Sequence, residues 1–444
     1  MKLPDEMLAQ HRTIARGMLA VMLFVMLAKL VAMAKEMAIA WRYGVGEVVD
    51  GYLFVFNLVS WPVGVWLSVL AVVLVPLATR LRRDDTAGLQ VFRAELLGLT
   101  LLIGVVLALA AWLGLPVLLR AEWLGLAPGV RMVALDAVPM LALVPLIGLP
   151  IGLYSVWMLS RERHANTLYE GLPALGILFA VVLLPFDGVA PLLWGTLAGM
   201  AFQLAAVVLP SARDKEFGMP GFRRTSSHWP AFWQGFGIMM LGQAIMSLTT
   251  VIDQFFVAGL GSGAISTLGY ANRVLALILG LGATAVSRAT LPVFSRMQVE
   301  TGGEETRRMA LRWGGWMLLL GMAMAVLAWP VARWGVALLF ERGEFSATDT
   351  ASVAWLIRAG LAQLPPYFAG IVLVSWFTSL ANYRVLLGVA ILALLVKIVG
   401  NWLFVGLHGL VGVQFATVAM QWVSLLTLLG VLMRDYRREA RGVA

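Results

Sequence analysis

Long apolar runs alternate with short polar joints from one end of the chain to the other. Twelve runs reach the roughly 20 residues that an α-helix needs to cross the hydrocarbon core of a bilayer. The first six cover approximately residues 17–43, 48–79, 92–113, 133–159, 168–184 and 189–209. The second six cover approximately 232–260, 265–291, 313–339, 352–380, 385–404 and 410–432. Runs 48–79 and 352–380 exceed a bilayer's thickness, so tilting, kinking or projection is expected there. Pro62, Pro145, Pro150, Pro365 and Pro366 fall within or at the ends of spans, where membrane helices tolerate kinks. The pattern predicts an all-α polytopic membrane protein with twelve transmembrane helices, arranged as two six-helix halves around a central cavity.

Composition agrees. Of the 444 residues 61% are hydrophobic and 13% charged, against about a quarter charged in a soluble domain. The run from residue 18 to 40 is too long for a signal-peptide core and lacks a small-residue cleavage site, so it reads as a retained first helix. With no cysteine, disulfides, thiolate metal sites and iron–sulfur clusters are excluded. His11, His164, His228 and His408 lack metal-ligand spacing, so no metal site is expected.

The charges fix an expected orientation. Basic residues collect in every second joint: Arg80, Arg82 and Arg83; Arg161 and Arg163; Arg213, Lys215, Arg223 and Arg224; Arg296, Arg307 and Arg308; Arg384. Both terminal segments are basic too, while the opposite joints carry Glu47, Asp50 and Asp187. The positive-inside rule then puts both termini in the cytoplasm. The formal charge of +9 is thereby explained as membrane anchoring, and no nucleic-acid groove is implied.

The polar stretch 211–230, with Gly218, Pro220 and Gly221, divides an N-terminal half (1–210) from a C-terminal half (231–444) and reads as a cytoplasmic linker. A faint echo links the halves. Gly44-Val45-Gly46 and Gly259-Leu260-Gly261 open the second and eighth spans, and Pro76 with Arg80 and Pro292 with Arg296 close them. Halves of six spans share one orientation and are related by an axis along the membrane normal, a transporter architecture.

An ionisable side chain at the bilayer centre costs at least about 2.5–3.5 kcal/mol, so such groups face a partner or a cavity. Lys29, Lys35 and Glu36 lie in the first span, with Arg42 and Asp50 flanking the next turn. Asp253, Arg273, Arg358 and Lys397 lie in the seventh, eighth, tenth and eleventh. Internal pairing accounts for some of them: Lys35 with Asp50 or Asp253, and Arg42 reaching the outer surface. Lys29 and Arg273 have no carboxylate one turn away on their own helices and come from equivalent regions of the two halves. Cations placed so would line the cavity and suit a phosphate or diphosphate. Glu36, Asp50 and Asp253 are candidates for a coupling ion or proton, or for structural pairing.

Several segments resemble the MurJ/MviN family. Lys35-Glu36-Met37-Ala38-Ile39-Ala40, Tyr43-Gly44-Val45-Gly46 and Asp50-Gly51-Tyr52 resemble its first-helix signature. Tyr270-Ala271-Asn272-Arg273 and Leu291-Pro292-Val293-Phe294-Ser295-Arg296 resemble its eighth helix. Phe340-Glu341-Arg342-Gly343-Glu344-Phe345 with Thr348-Asp349-Thr350 resembles a characteristic loop, and Asn401 with Gly409-Leu410-Val411-Gly412 resembles its last two spans. That family is similar to flippases of the MOP (multidrug/oligosaccharidyl-lipid/polysaccharide) superfamily, which carry lipid-linked sugars across the bacterial inner membrane by alternating access. The resemblance implies that Lys29, Lys35 and Arg273 are the cavity cations. Lysine replaces the arginine the family favours at the first two, which keeps charge and loses bidentate geometry. The family's second-helix arginine has no counterpart in Ser60-Trp61-Pro62-Val63-Gly64-Val65-Trp66, leaving Ser60 as the polar candidate there. The family's best-known members also carry two further C-terminal helices. Both departures turn the expectation from lipid II towards an exopolysaccharide or O-antigen unit.

The function expected is a flippase for a polyprenyl-diphosphate-linked sugar, a monomer in contact with membrane lipids. It needs no cofactor and couples to membrane potential, H+ or Na+. An ion-coupled multidrug antiporter of the same superfamily is the alternative, disfavoured by the cationic bias. A membrane glycosyltransferase would need a carboxylate-rich site and a large outer loop. No catalytic constellation and no phosphate-binding G-x-x-x-x-G-K-[ST] loop stand in the sequence, so the chain is not expected to be an enzyme.

Overall fold

A computed structural model describes residues 26–161, 166–213, 218–300, 303–380 and 382–440, and these are helical with short joints and no strand. The helices are α1 (26–43), α2 (Glu47–Asp84), α3 (Thr86–Leu119), α4 (Pro128–Leu141), α5 (Val144–Leu159), α6 (Asn166–Tyr169), α7 (Leu172–Leu183) and α8 (Ala190–Arg213). There follow α9 (Trp229–Ala258), α10 (Ala264–Glu300), α11 (Gly303–Phe340), α12 (Ala347–Leu361), α13 (Leu364–Ser379), α14 (Tyr383–His408) and α15 (Val411–Ala440). Within the described residues the apolar runs fall on this succession, α4–α5 and α12–α13 each making one bent span; residues 17–25 of the first run lie outside the described residues.

Those two spans are broken, with bends of 50° and 45°. The cause is local. Pro145 and the pair Pro365-Pro366 sit in the first turn of α5 and α13. Their fixed φ suits a helix start, while the missing N–H and the ring prevent continuation from the preceding turn. The kink expected in 352–380 is therefore present. Run 48–79, the other overlong one, is instead a single helix of 38 residues that carries Pro62 and Pro76 without interruption. At about 1.5 Å per residue it is longer than a hydrocarbon core is thick, and its last turn carries Arg82 and Arg83.

The chain forms two compact units. The first comprises α1 to α8 and α9 as far as Ala244. The second runs from Ile245 onward and includes the turns Gly44–Gly46 and Gly125–Ala127. The first unit is built around buried Leu70, Leu74, Phe92, Leu96, Leu153 and Phe232. Phe92 meets Trp229 and Phe232 edge-on at 5.2 and 5.8 Å, the geometry aromatic rings prefer. Small residues let α7 and α8 touch through their backbones: a Cβ on Gly176 would lie 2.5 Å from Gly199 Cα. Close approach of this kind substitutes for the hydrophobic drive that is missing inside lipid.

The second unit centres on Phe294, Val372, Leu373, Phe377 and Leu428. Gly400 brings α14 against α15, where an added Cβ would stand 3.1 Å from that of Ala416. That contact sets the distance across which polar groups of the two helices meet.

Residues 218–228 pack on α3 of the first unit. Gly221 N–H donates to Ala94 O at 2.8 Å. Glu95, itself buried, accepts from Thr225 N–H and Oγ1 (2.6 Å each), Ser226 N–H (3.2 Å) and Trp229 Nε1 (2.7 Å).

Candidate functional site

In the first unit the candidate charges come from α1 and α2. Lys29 is exposed and lies within electrostatic reach of Glu170, at the junction of α6 and α7. Backbone contact supports that neighbourhood, since a Cβ on Gly171 would meet Ala28 Cα at 3.6 Å. Lys35 forms an ion pair of 2.6 Å with its chain neighbour Glu36, the lysine side chain 18% and the glutamate 7% exposed. Asp50 is fully buried in the first turn of α2, where the helix's N-terminal field favours a carboxylate. Ser60 Oγ is buried with no hydrogen-bond partner among the described residues.

Arg42 does not reach for the outer surface alone. Its guanidinium donates to Val181 O at 2.5 Å and Leu184 O at 2.8 Å, and also to Phe186 O. These are carbonyls at and beyond the last turn of α7, which lack helical donors. Arg42 is thus a C-terminal cap contributed by another helix. Arg93, on α3, lies 4.6 Å over the Trp157 ring, within the range of a cation–π contact.

In the second unit Asp253 is paired with Lys397 at 2.8 Å, so its partner is neither Lys35 nor a group on its own helix. Asn401 Nδ2 donates to the same Asp253 Oδ1 at 2.7 Å. The Lys397 ammonium also donates to Val413 O at 3.1 Å and to Thr417 Oγ1. Arg273 is half-buried on α10, its guanidinium 5.9 Å from the Tyr270 ring centre. Tyr270 is fully buried, packs on Phe340 and Phe345, and donates to Gly44 O at 3.1 Å. Asn272 Oδ1 accepts from Gln414 Nε2 at 2.9 Å. The stretch Tyr270-Ala271-Asn272-Arg273 thereby holds a turn, a neighbouring helix and a cation within four residues. Arg358 Nε donates to Trp329 O at 3.0 Å.

The structure thus brings Lys35 to Glu36 and Asp253 to Lys397. Glu95, Glu170 and Thr417 were not singled out in the sequence, and Asn401 only as part of a motif. Asn401 carried a usable signal, for it follows Lys397 by four residues on α14 and both reach Asp253; Thr417 carried none, since Val413 takes part only through its backbone carbonyl. Among the described residues no cluster of three or more His, Asp or Glu side chains could hold a metal ion.

The fold is that of MOP-superfamily transporters. It superposes on a solved lipid II flippase MurJ in an inward closed conformation with a TM-score of 0.81, at 18% identity, covering 94% of this chain and 87% of that one. An inward-facing MATE-family multidrug transporter of the MOP superfamily gives 0.73 at 16% identity, covering 93% of this chain and 96% of that one. The sequence narrows the class: the chain belongs to the lipid II flippase MurJ family, whose model matches residues 43–441. A probable lipid II flippase MurJ of Synechocystis sp. is 26% identical over 436 residues, 92% of this chain and 79% of that protein. One of Bdellovibrio bacteriovorus is 26% identical over 283 residues, 60% of this chain and 52% of that protein. The chain spans about half the length of that relative and of the Helicobacter pylori protein it matches, 52% and 56%. It is a multi-pass membrane protein, with seven helices individually long and apolar enough to cross a bilayer and nine with the two bent pairs, among the described residues.

Proposed function

We propose that this protein is a flippase of the bacterial inner membrane that moves a polyprenyl-diphosphate-linked sugar by alternating access. One observation carries the reading. In a chain of the lipid II flippase family, cations stand on apolar helices: Lys29 and Lys35 on α1, and Arg273 on α10. The diphosphate is the anionic part of such a substrate, and lipid cannot solvate its charge. Ammonium and guanidinium groups offset its charge where water is scarce. The apolar prenyl chain needs no comparable help, because lipid solvates it.

Lipid II is the leading cargo, on the strength of the family. An exopolysaccharide or O-antigen unit is the second reading, favoured by the stretch 60–66, which carries no lysine or arginine and leaves the Ser60 hydroxyl as a weaker, neutral contact. Both termini lie in the cytoplasm in this reading, the protein works as a monomer, and it is a transporter with no catalytic step. Membrane potential, H+ or Na+ supplies the driving force.

The test is translocation in proteoliposomes, with lipid II, another polyprenyl-diphosphate glycan and a cationic drug as competing cargoes. Transport of a diphosphate-linked glycan, reduced at least tenfold in Lys29→Ala and in Arg273→Ala, is expected. Drug transport without glycan transport would establish the multidrug antiporter instead. Unchanged glycan transport in both variants would sink the role given to these cations.

A further inference from the structure

Lys397 is 1% exposed, an ammonium enclosed among three helices of the second unit. We propose that it is a tethered monovalent cation, seated in an oxygen cradle of α9, α14 and α15 that binds a free alkali cation once the lysine side chain is removed. The inference does not depend on the cargo, and its test needs none.

The donor set carries it. An ammonium has three N–H donors and no acceptor. Lys397 Nζ meets three oxygens of different chemistry: Asp253 carboxylate at 2.8 Å, Val413 carbonyl at 3.1 Å and Thr417 hydroxyl. Thr417 Oγ1 in turn donates to Val413 O at 3.0 Å, which aims its lone pairs at the ammonium. A fourth buried oxygen belongs to the residue that already contacts Asp253. Asn401 is fully buried and spends its Nδ2 on Asp253, while its Oδ1 has no hydrogen-bond partner among the described residues.

Carboxylate, peptide carbonyl, hydroxyl and amide oxygens are the ligands that hard cations take. One carboxylate matches one positive charge, which fits a monovalent cation better than a divalent one. Helix geometry sets the spacing: Lys397 and Asn401 are one turn apart on α14, Val413 and Thr417 one turn apart on α15. A carboxylate placed this deep costs several kcal/mol in lost solvation unless a cation stays with it. Because Lys397 is covalently attached, its charge does not leave. Asp253 therefore does not take up and release an ion, and an ion gradient, if used, acts elsewhere in the molecule.

The full chain is purified in detergent and melted at fixed ionic strength in sodium, potassium or N-methylglucammonium chloride. The parent is expected to melt alike in all three. Lys397→Ala should melt at least about 3 °C higher in saturating sodium or potassium than in N-methylglucammonium, a cation too large for the cradle. Adding Asp253→Asn should abolish that difference. Folded Lys397→Ala that melts alike in all three salts would overturn the proposal. So would Lys397→Ala that fails to fold in sodium and potassium while Asp253→Asn/Lys397→Met folds, since that marks an ordinary ion pair. A saturable sodium response in the parent, lost in Asp253→Asn, would overturn it too, because a free ion would then share the site with the lysine.

Discussion

Glu95 ties the segment between the two sets of six spans to α3, and replacing it with glutamine should release that segment. Oε1 accepts both groups of Thr225, and Oε2 accepts Ser226 N–H and Trp229 Nε1. Only the ionised carboxylate can accept all four. In Glu95→Gln one oxygen becomes an NH2, which faces two N–H donors if turned to Ser226 and Trp229, or one N–H and a hydroxyl that can rotate to accept if turned to Thr225. At least one bond is lost outright and the rest lose a charged acceptor, a bond to a charged group being worth about 1.5–3 kcal/mol. Thr225 is exposed and Ser226 half-buried, so water recovers part of the loss. A net cost of about 2–4 kcal/mol for holding the segment closed is reasonable on those values. At about 1.4 kcal/mol per decade this is a roughly 30- to 1000-fold fall in amide protection. Hydrogen exchange in nanodiscs at the Thr225 and Ser226 amides measures it, with α7 and α8 as unaffected references. Gly221 N–H, bonded to Ala94 O independently of the side chain, tells whether 218–228 opens as one piece. Equal protection of Thr225 and Ser226 in parent and variant would refute the assignment of Glu95 as the tie.

Gly44 has φ +56°, and a Cβ there would lie 2.4 Å from Glu344 O. Gly44→Ala should therefore cost at least about 2 kcal/mol through left-handed strain and displacement. Gly46→Ala, with no atom within 4 Å of its added Cβ, should be close to neutral in the same melting experiment. Asp85 caps α3, and its carboxyl is held below the ordinary range chiefly by Gly88 N–H, then by His228. A depressed folded pKa adds stability that is fully present above about pH 4 and is lost as pH falls through the lower folded value. The melting-temperature gap between parent and Asp85→Asn should thus narrow on acidification from pH 5 to 3, and a constant gap would contradict this.

The spans were legible because a bilayer imposes a length and a composition on each helix separately. Along the described residues the runs found by that rule fall on helices, including Ala347–Leu361 and Leu364–Ser379, whose break the proline pair announced. The unbroken 38 residues of α2 show the limit of the same rule. A proline inside a membrane helix interrupts it only where the chain has another use for the freed carbonyls, and neighbouring helices decide that. Pro62 and Pro145 look alike in sequence and differ in outcome.

Partners of the buried charges were much less legible, and the reason is geometric. Lys29 drew attention because its own helix offers no carboxylate one turn away, yet Glu170 approaches from the α6–α7 junction. Lys397 drew little, and its partners come from α9 and α15. Arg42, Arg93 and Arg358 meet carbonyls or a ring in contacts described here, which a search for opposite charges along the sequence passes over. An i,i+4 test detects only pairs within one helix, whereas a membrane protein satisfies its costly groups mainly across helices. The pair Lys397–Asn401 shows what such a test can still do, since it puts two polar side chains on one face of a span, both reaching Asp253. Val413 takes part through its backbone carbonyl, which no spacing of side chains marks. Only the fold brings Asp253, Val413 and Thr417 to Lys397.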